Sequence, residues 1–149
     1  MIIFRCQHLF TKILVPIDGS PNSNKGLQYA IDIAKKHDAS ITLIHVVERP
    51  VYAYYHPIVI PEDVFTHLKE EGGELLSTRK EEVAKMGLKV DTLLVVGEPS
   101  EQILKAAEDH DLIVIGSRGL GTAKSLLLGS ISSKIAHHAR KPVLIVRPD

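Results

Sequence analysis

The chain has 149 residues, 18 Lys and Arg against 18 Asp and Glu, 44% hydrophobic residues, one cysteine and no tryptophan. That length suits a single domain, taken as 1–149, and balanced charge with ordinary apolar content excludes wholesale disorder. Cys6 alone closes no intramolecular disulfide, and no apolar run reaches the roughly 18 residues that span a bilayer, so no membrane partner is expected. Arg5 and Lys12 interrupt the apolar start and no small-residue cleavage site follows, which gives the cytoplasm as the expected location. Residues 1–10 form an extension with no assigned role.

In chain order, the first strand is expected at 13–17, a short β-branched run that ends in the turn Asp18-Gly19-Ser20. Ser20 can N-cap the helix that follows, with Pro21 in its first turn and Leu27, Ala30, Ile31 and Ala34 on one apolar stripe. A second strand covers 41–47. Residues 48–61 (ERPVYAYYHPIVIP) have no regular pattern and hold three of the four tyrosines. They suit a flap over a ligand, a subunit contact, or a loop packed on its own domain. The next helix runs from 62 to 86 and stops at Gly87, with a kink or mobile turn expected at Gly72-Gly73 because each glycine costs about 1 kcal/mol relative to Ala.

A third strand at 90–96 leads through Gly97-Glu98-Pro99 into a helix at 100–109 with Ile103, Leu104 and Ala107 on one side. A fourth strand covers 112–115. The last helix begins at Gly129-Ser130, buries Ile131, Ile135 and Ala139, and ends in His138, Arg140 and Lys141, cations that suit its dipole. A fifth strand covers 143–146. Strands alternating with helices imply a doubly wound α/β domain, and near-continuous apolar strands imply a parallel sheet covered on both faces.

In such sheets ligands bind beyond the carboxyl ends of the strands, where the strand order reverses. The richest of those ends is Gly116-Ser117-Arg118-Gly119-Leu120-Gly121, whose glycines let backbone N–H groups approach an anion without Cβ obstruction. It leads to Gly129-Ser130, a helix start with exposed N–H groups and a hydroxyl, which is a natural phosphate site. Residues 112–148 carry six bases and no acid, whereas 61–111 carry thirteen acids and six bases. That asymmetry reads either as solvated surface or as attraction for a bound anion. Glycines after a strand also occur in plain turns.

Familiar phosphate loops do not match. A Walker A loop requires glycine where Ala123 precedes Lys124-Ser125, and no glycine completes a GxGxxG pattern after Gly119-Leu120-Gly121. The spacing Gly116-x2-Gly119-x9-Gly129-Ser130 instead resembles the nucleotide-binding signature of the universal stress protein family. The resemblance extends from Lys12 to Pro148 and includes Ile13-Leu14-Val15-Pro16-Ile17-Asp18-Gly19-Ser20, His45-Val46, Val96-Gly97-Glu98-Pro99 and Lys141-Pro142-Val143-Leu144-Ile145-Val146. It implies a Rossmann-like five-stranded parallel sheet of order 3-2-1-4-5 with helices on both faces, and ATP binding, since family members with the glycine signature bind ATP and those without it generally do not.

Carried over by position, the resemblance makes Pro16, Asp18 and Val46 the base-recognition positions, Asp18 through its carboxylate and Val46 chiefly through its main chain. Asp18 also reads as an acid at a helix N-terminus. Ile115 and Gly116 fall along the ribose and α-phosphate, and Gly119, Gly129, Ser130 and Ile131 in the phosphate cradle. Arg118 either clamps a phosphate oxygen or points into water. ATP is the expected ligand, with AMP or ADP as alternatives, and Mg²⁺ is expected beside a triphosphate. The resemblance also implies a homodimer paired through the last strand, an apolar edge that would otherwise invite association.

No zinc site is expected, because no two histidines have His-x3-His spacing and the cysteine is single. No Gly-x-Ser-x-Gly elbow offers a nucleophile. Residues 112–148 contain neither an acid nor a Gln to orient water, so hydrolysis of ATP should be slow or absent. Six bases without interleaved aromatics give thin support for nucleic-acid binding. The expected function is an ATP-binding stress protein that acts as a nucleotide-dependent sensor or switch. Its alternatives are a nucleotide-free dimerisation module and an enzyme of the adenine-nucleotide α-hydrolase kind; the latter would need a Ser-Gly-Gly loop after the first strand, which Asp18-Gly19-Ser20-Pro21 does not supply.

Overall fold

The computed structural model describes residues 9–48, 61–120 and 128–147. Nearly all of the 48–61 loop, residues 1–8 and the segment 121–127 lie outside the described residues, and so do the readings made for them. Strand and helix alternate along the chain: β1 (Lys12–Pro16), α1 (Pro21–His37), β2 (Ser40–Val47), α2 (Glu62–Lys85), β3 (Val90–Val96), α3 (Pro99–Ala107), β4 (Leu112–Gly116), α4 (Ser130–His138) and β5 (Val143–Val146). The strands form one parallel sheet in the order β3-β2-β1-β4-β5, as expected.

Alternate side chains of a strand point to opposite faces, and here both faces are apolar. Ile13, Val15 and Ile17 pack with Leu27, Ala30 and Ala34 of α1 and Leu76 and Val83 of α2. Leu14, Ile44, Ile113 and Ile115 pack on the other side with Ile103 and Ala107 of α3 and Ile135 of α4. Each fully buried Ile or Leu contributes about 1.5–3 kcal/mol relative to exposure. Cover on both faces does not extend to the edge: Leu93 and Leu94 of β3 are 37% and 41% exposed.

The helix ends follow local rules. Ser20 caps α1, its Oγ accepting from the Ser23 N–H at 3.1 Å. Gly87, at φ +82°, takes the left-handed conformation that ends α2. No turn interrupts α2 at Gly72-Gly73: the helix runs continuously from Glu62 to Lys85. A Cβ on Gly72 would lie 2.6 Å from His45 Cδ2 and 3.0 Å from Leu94 Cδ1, so the missing side chain lets the helix press close on the sheet.

At the amino ends of the strands, Asp111 ties β4 to β1. Its Oδ2 accepts from the Thr11 hydroxyl at 2.6 Å, the Thr11 N–H at 2.9 Å and the Lys12 N–H at 3.0 Å. The Thr11 bonds hold this carboxyl below its ordinary value, against a smaller opposing effect of burial and with help from the Lys12 N–H and the Lys141 charge. A lowered folded-state pKa stabilises the fold above the ordinary aspartate range, and that contribution is lost as pH falls through the lowered value. Asp111→Ala should therefore cost on the order of 1 kcal/mol at neutral pH. Urea denaturation at neutral and acid pH should show the gap from wild type closing in the acid limb; a constant gap would contradict the assignment.

Candidate functional site

β1 ends at Pro16, whereas its neighbour β2 continues to Val47. Between them the last rung of the ladder runs from the Ile17 N–H to the Ile44 carbonyl at 2.8 Å. In a strand with a partner on each side, alternate residues turn their N–H and C=O to alternate neighbours. Ile44 and Val46 therefore face the β1 side, and Val47 faces β3, its carbonyl accepting from the Gly97 N–H at 3.1 Å. Val46 presents its main chain to the space that β1 has vacated.

A cavity of about 380 Å³ occupies that space. Pro16 and Asp18 line it from the end of β1, Val46 from β2, and Ile115 and Gly116 from the end of β4. Arg118 and Gly119 line it from the turn after β4, and Gly129, Ser130 and Ile131 from the start of α4. The residues that the resemblance set against a nucleotide, and Arg118 with them, thus border one cavity. Sequence reasoning gave no binding role to His45 and Glu48 on the β2 side, Pro99 and Ile103 of α3, or Ser132 of α4, all of which line the cavity. His45 stands beside Val46 in the resemblance and Pro99 in its Val96-Gly97-Glu98-Pro99 turn, and Glu48 follows β2 where ligands are expected; Ile103 and Ser132 carried no such signal.

Several of these groups are already engaged by the scaffold. The Asp18 carboxylate accepts from the Ser20 N–H at 2.9 Å and, through its other oxygen, from the Leu120 N–H at 3.0 Å. It therefore joins the turn after β1 to the turn after β4, a role more specific than an acid near a helix start. A Cβ on Gly119 would lie 2.5 Å from Asp18 Oδ2. Gly116 is bare for another reason: a Cβ there would lie 2.7 Å from the main-chain carbon and oxygen of Asn22 in α1.

Gly129 donates its N–H to the Ser117 carbonyl at 2.7 Å, and the Ser132 hydroxyl donates to the same oxygen at 2.7 Å. The Gly129 amide is thus spent on fixing where α4 begins. Ser130, Ile131 and Ser132 follow it in the first turn, where N–H groups have no intrahelical acceptor. No side chain caps α4, in contrast to α1, capped by Ser20, and α3, capped by Glu98.

Glu98 also connects α3 to α4. It accepts from Ser100 Oγ, from the Glu101 N–H at 2.8 Å, and from Lys134 Nζ at 3.0 Å. Burial acts to raise its pKa, but the Ser100, Glu101 and Lys134 hydrogen bonds together outweigh burial and leave the carboxyl below its ordinary value. At neutral pH Glu98 is an anion committed to the scaffold.

Comparison with known proteins shows the family of the chain. The family model described as "Universal stress protein family" matches residues 9–147. The chain belongs to the universal stress protein family. Its relatives include universal stress protein YxiE of Bacillus subtilis, 36% identical over 93% of this chain and 100% of the relative. The solved structure of hypothetical protein MJ0577 superposes with a TM-score of 0.85 at 30% identity, covering 95% of this chain and 98% of that one. A universal stress protein solved in complex with cAMP superposes with a TM-score of 0.69 at 25% identity, covering 93% of this chain and 97% of that one.

Because Gly116 is held against α1, Gly116→Ala should destabilise the fold itself by about 1–3 kcal/mol, the usual cost of overpacking. Urea denaturation without nucleotide checks it: the midpoint should fall while the slope is unchanged. An unchanged midpoint would show that α1 yields freely.

Proposed function

We propose that the cavity binds an adenine nucleotide, with ATP as the leading ligand and AMP or ADP as alternatives. The observation that carries this reading is the convergence, on one cavity, of the open main chain of Val46, the Asp18 carboxylate and the uncapped first turn of α4. An acceptor-only carboxylate and a strand edge suit a base that carries both amino donors and ring acceptors. The free amides of Ser130 and Ile131, with the Ser130 hydroxyl, suit phosphate oxygens at the positive end of a helix. Arg118 adds a guanidinium to that end. A volume of about 380 Å³ is within the usual range for small-ligand sites. The cAMP complex of a relative supports the adenine nucleotide in particular. Mg²⁺ would accompany a triphosphate, held mainly by phosphate oxygens and water.

In this reading the protein is a sensor or switch rather than a metabolic enzyme. Residues 112–148 offer no acid or Gln to orient an attacking water, and a bound nucleotide can act by favouring one conformation or assembly over another. The assembly is a cytoplasmic homodimer in which β5, a short apolar edge strand, meets its copy across a two-fold axis. No helix among the described residues is long and apolar enough to cross a membrane.

Purified protein, denatured and analysed by mass spectrometry, should release an adenine nucleotide. In calorimetric titration Asp18→Ala should bind ATP about 10- to 100-fold more weakly, the equivalent of a charged hydrogen bond worth about 1.5–3 kcal/mol. Gly119→Val should lose affinity as well, by displacing the same carboxylate. Equal affinity in wild type and both variants would overturn the site, and no nucleotide binding at all would favour the nucleotide-free dimerisation module. With ATP and Mg²⁺, product should form on the order of 10⁻³ s⁻¹ or slower; fast turnover would favour the hydrolase alternative. Sedimentation should give twice the chain mass, and a monomer with and without nucleotide would remove the dimer from the proposal.

A further inference from the structure

The ladder between β1 and β2 stops one rung early. After the bond from the Ile17 N–H to the Ile44 carbonyl, parallel geometry makes the next rung run from the Val46 N–H to the Ile17 carbonyl. Among the described residues that backbone bond is not made. The Ile17 carbonyl is instead met by the His45 imidazole, with Nδ1 2.7 Å from the oxygen. A carbonyl oxygen only accepts, so Nδ1 carries the proton and donates it. A side chain has taken the place of the neighbouring amide.

We propose that His45 is a positioning residue for base recognition: by occupying the Ile17 carbonyl it keeps the Val46 N–H out of the ladder and available to a ring-nitrogen acceptor of the ligand. The inference rests on the nucleotide reading for the identity of the ligand, but its structural half stands on the hydrogen bonds alone. The ring is held from behind by α2. Gly72 packs against it so closely that a Cβ at that position would lie 2.6 Å from Cδ2 and 3.0 Å from Nε2. The ring therefore has no room to swing toward α2 and away from Ile17. An amide left open in a part-buried crevice is unfavourable unless it finds a partner. That penalty is relieved by water in the free protein and by a heterocyclic acceptor in the bound one.

Three proteins test the proposal: wild type, His45→Leu, which removes the donor, and His45→Asn, whose amide nitrogen can reach the position of Nδ1. The first measurement is hydrogen exchange of the Val46 amide, read by NMR without nucleotide. It should be fast in wild type and in the Asn variant, and at least about tenfold slower in the Leu variant, where the amide closes the rung. The second is affinity. ATP should bind the Leu variant about tenfold more weakly and the Asn variant within about threefold of wild type, whereas inorganic tripolyphosphate, which has no base, should bind all three alike.

Slow Val46 exchange in wild type, or no slowing in the Leu variant, would overturn the role of His45. Equal loss of ATP and tripolyphosphate would overturn it too, by revealing general damage to the site. If wild type binds no ATP, the nucleotide reading fails while the exchange result still decides what His45 does. Should the Leu variant fail to fold, Gly72→Ala displaces the ring from behind. It should likewise slow Val46 exchange and weaken ATP binding; unchanged exchange and affinity in that variant would overturn the proposal.

Discussion

The parallel ladder that β1 shares with β2 and β4 is the constraint from which the site follows. Because β1 is central, its main chain pairs with β4 at Ile13 and Leu14 and with β2 as far as the bond from Ile17 to Ile44. Where it stops, its two neighbours continue, and their connections lead to opposite faces of the sheet. A crevice at that point needs no carving by loops, since it is the space left by one strand ending before the next. Asp18, Val46 and Gly116 border it because they occupy the carboxyl ends of three adjacent strands.

Groups around this crevice carry scaffold duties along with any duty toward a ligand. Asp18 bridges two turns, Gly116 admits α1, Gly119 leaves room for the Asp18 carboxylate, and Gly129 fixes the start of α4 through Ser117. The glycine spacing that reads as a phosphate signature is thus, in large part, a packing specification. Substituting such a residue perturbs the frame and the cavity together, so a loss of binding at Gly116 says little unless stability is measured beside it. The amides of Ser130 and Ile131 are different, because the helix itself leaves them without an acceptor.

Much of the fold was legible because its signals are local. Ser20 and Pro21 mark a helix start, β-branched runs mark strands, and alternation of the two admits few arrangements. The sheet order and the family came from the resemblance of the Gly116 to Ser130 spacing and of the flanking strands, and residues 9–147 match the family model. What could not be read were contacts between distant segments. Gly72 was expected to loosen α2 because its intrinsic cost is visible in the sequence, while the imidazole it shelters lies 27 residues away. His45 enters the resemblance only as the neighbour of Val46, and its importance appears only once β1 and β2 are in register. Leu93 and Leu94 read like any buried strand, and only the strand order places them at an edge.

The bond between Asp18 and Leu120 has a thermodynamic corollary. Each carboxylate oxygen already holds a main-chain amide, so any occupant that draws on Asp18 competes with, or must share, the tether to the segment after β4. Linkage makes such competition symmetric: whatever loosens the tether raises affinity by the same factor by which occupancy loosens the tether. Any occupant that drew on Asp18 would thereby be coupled, through one aspartate, to the turn after β4.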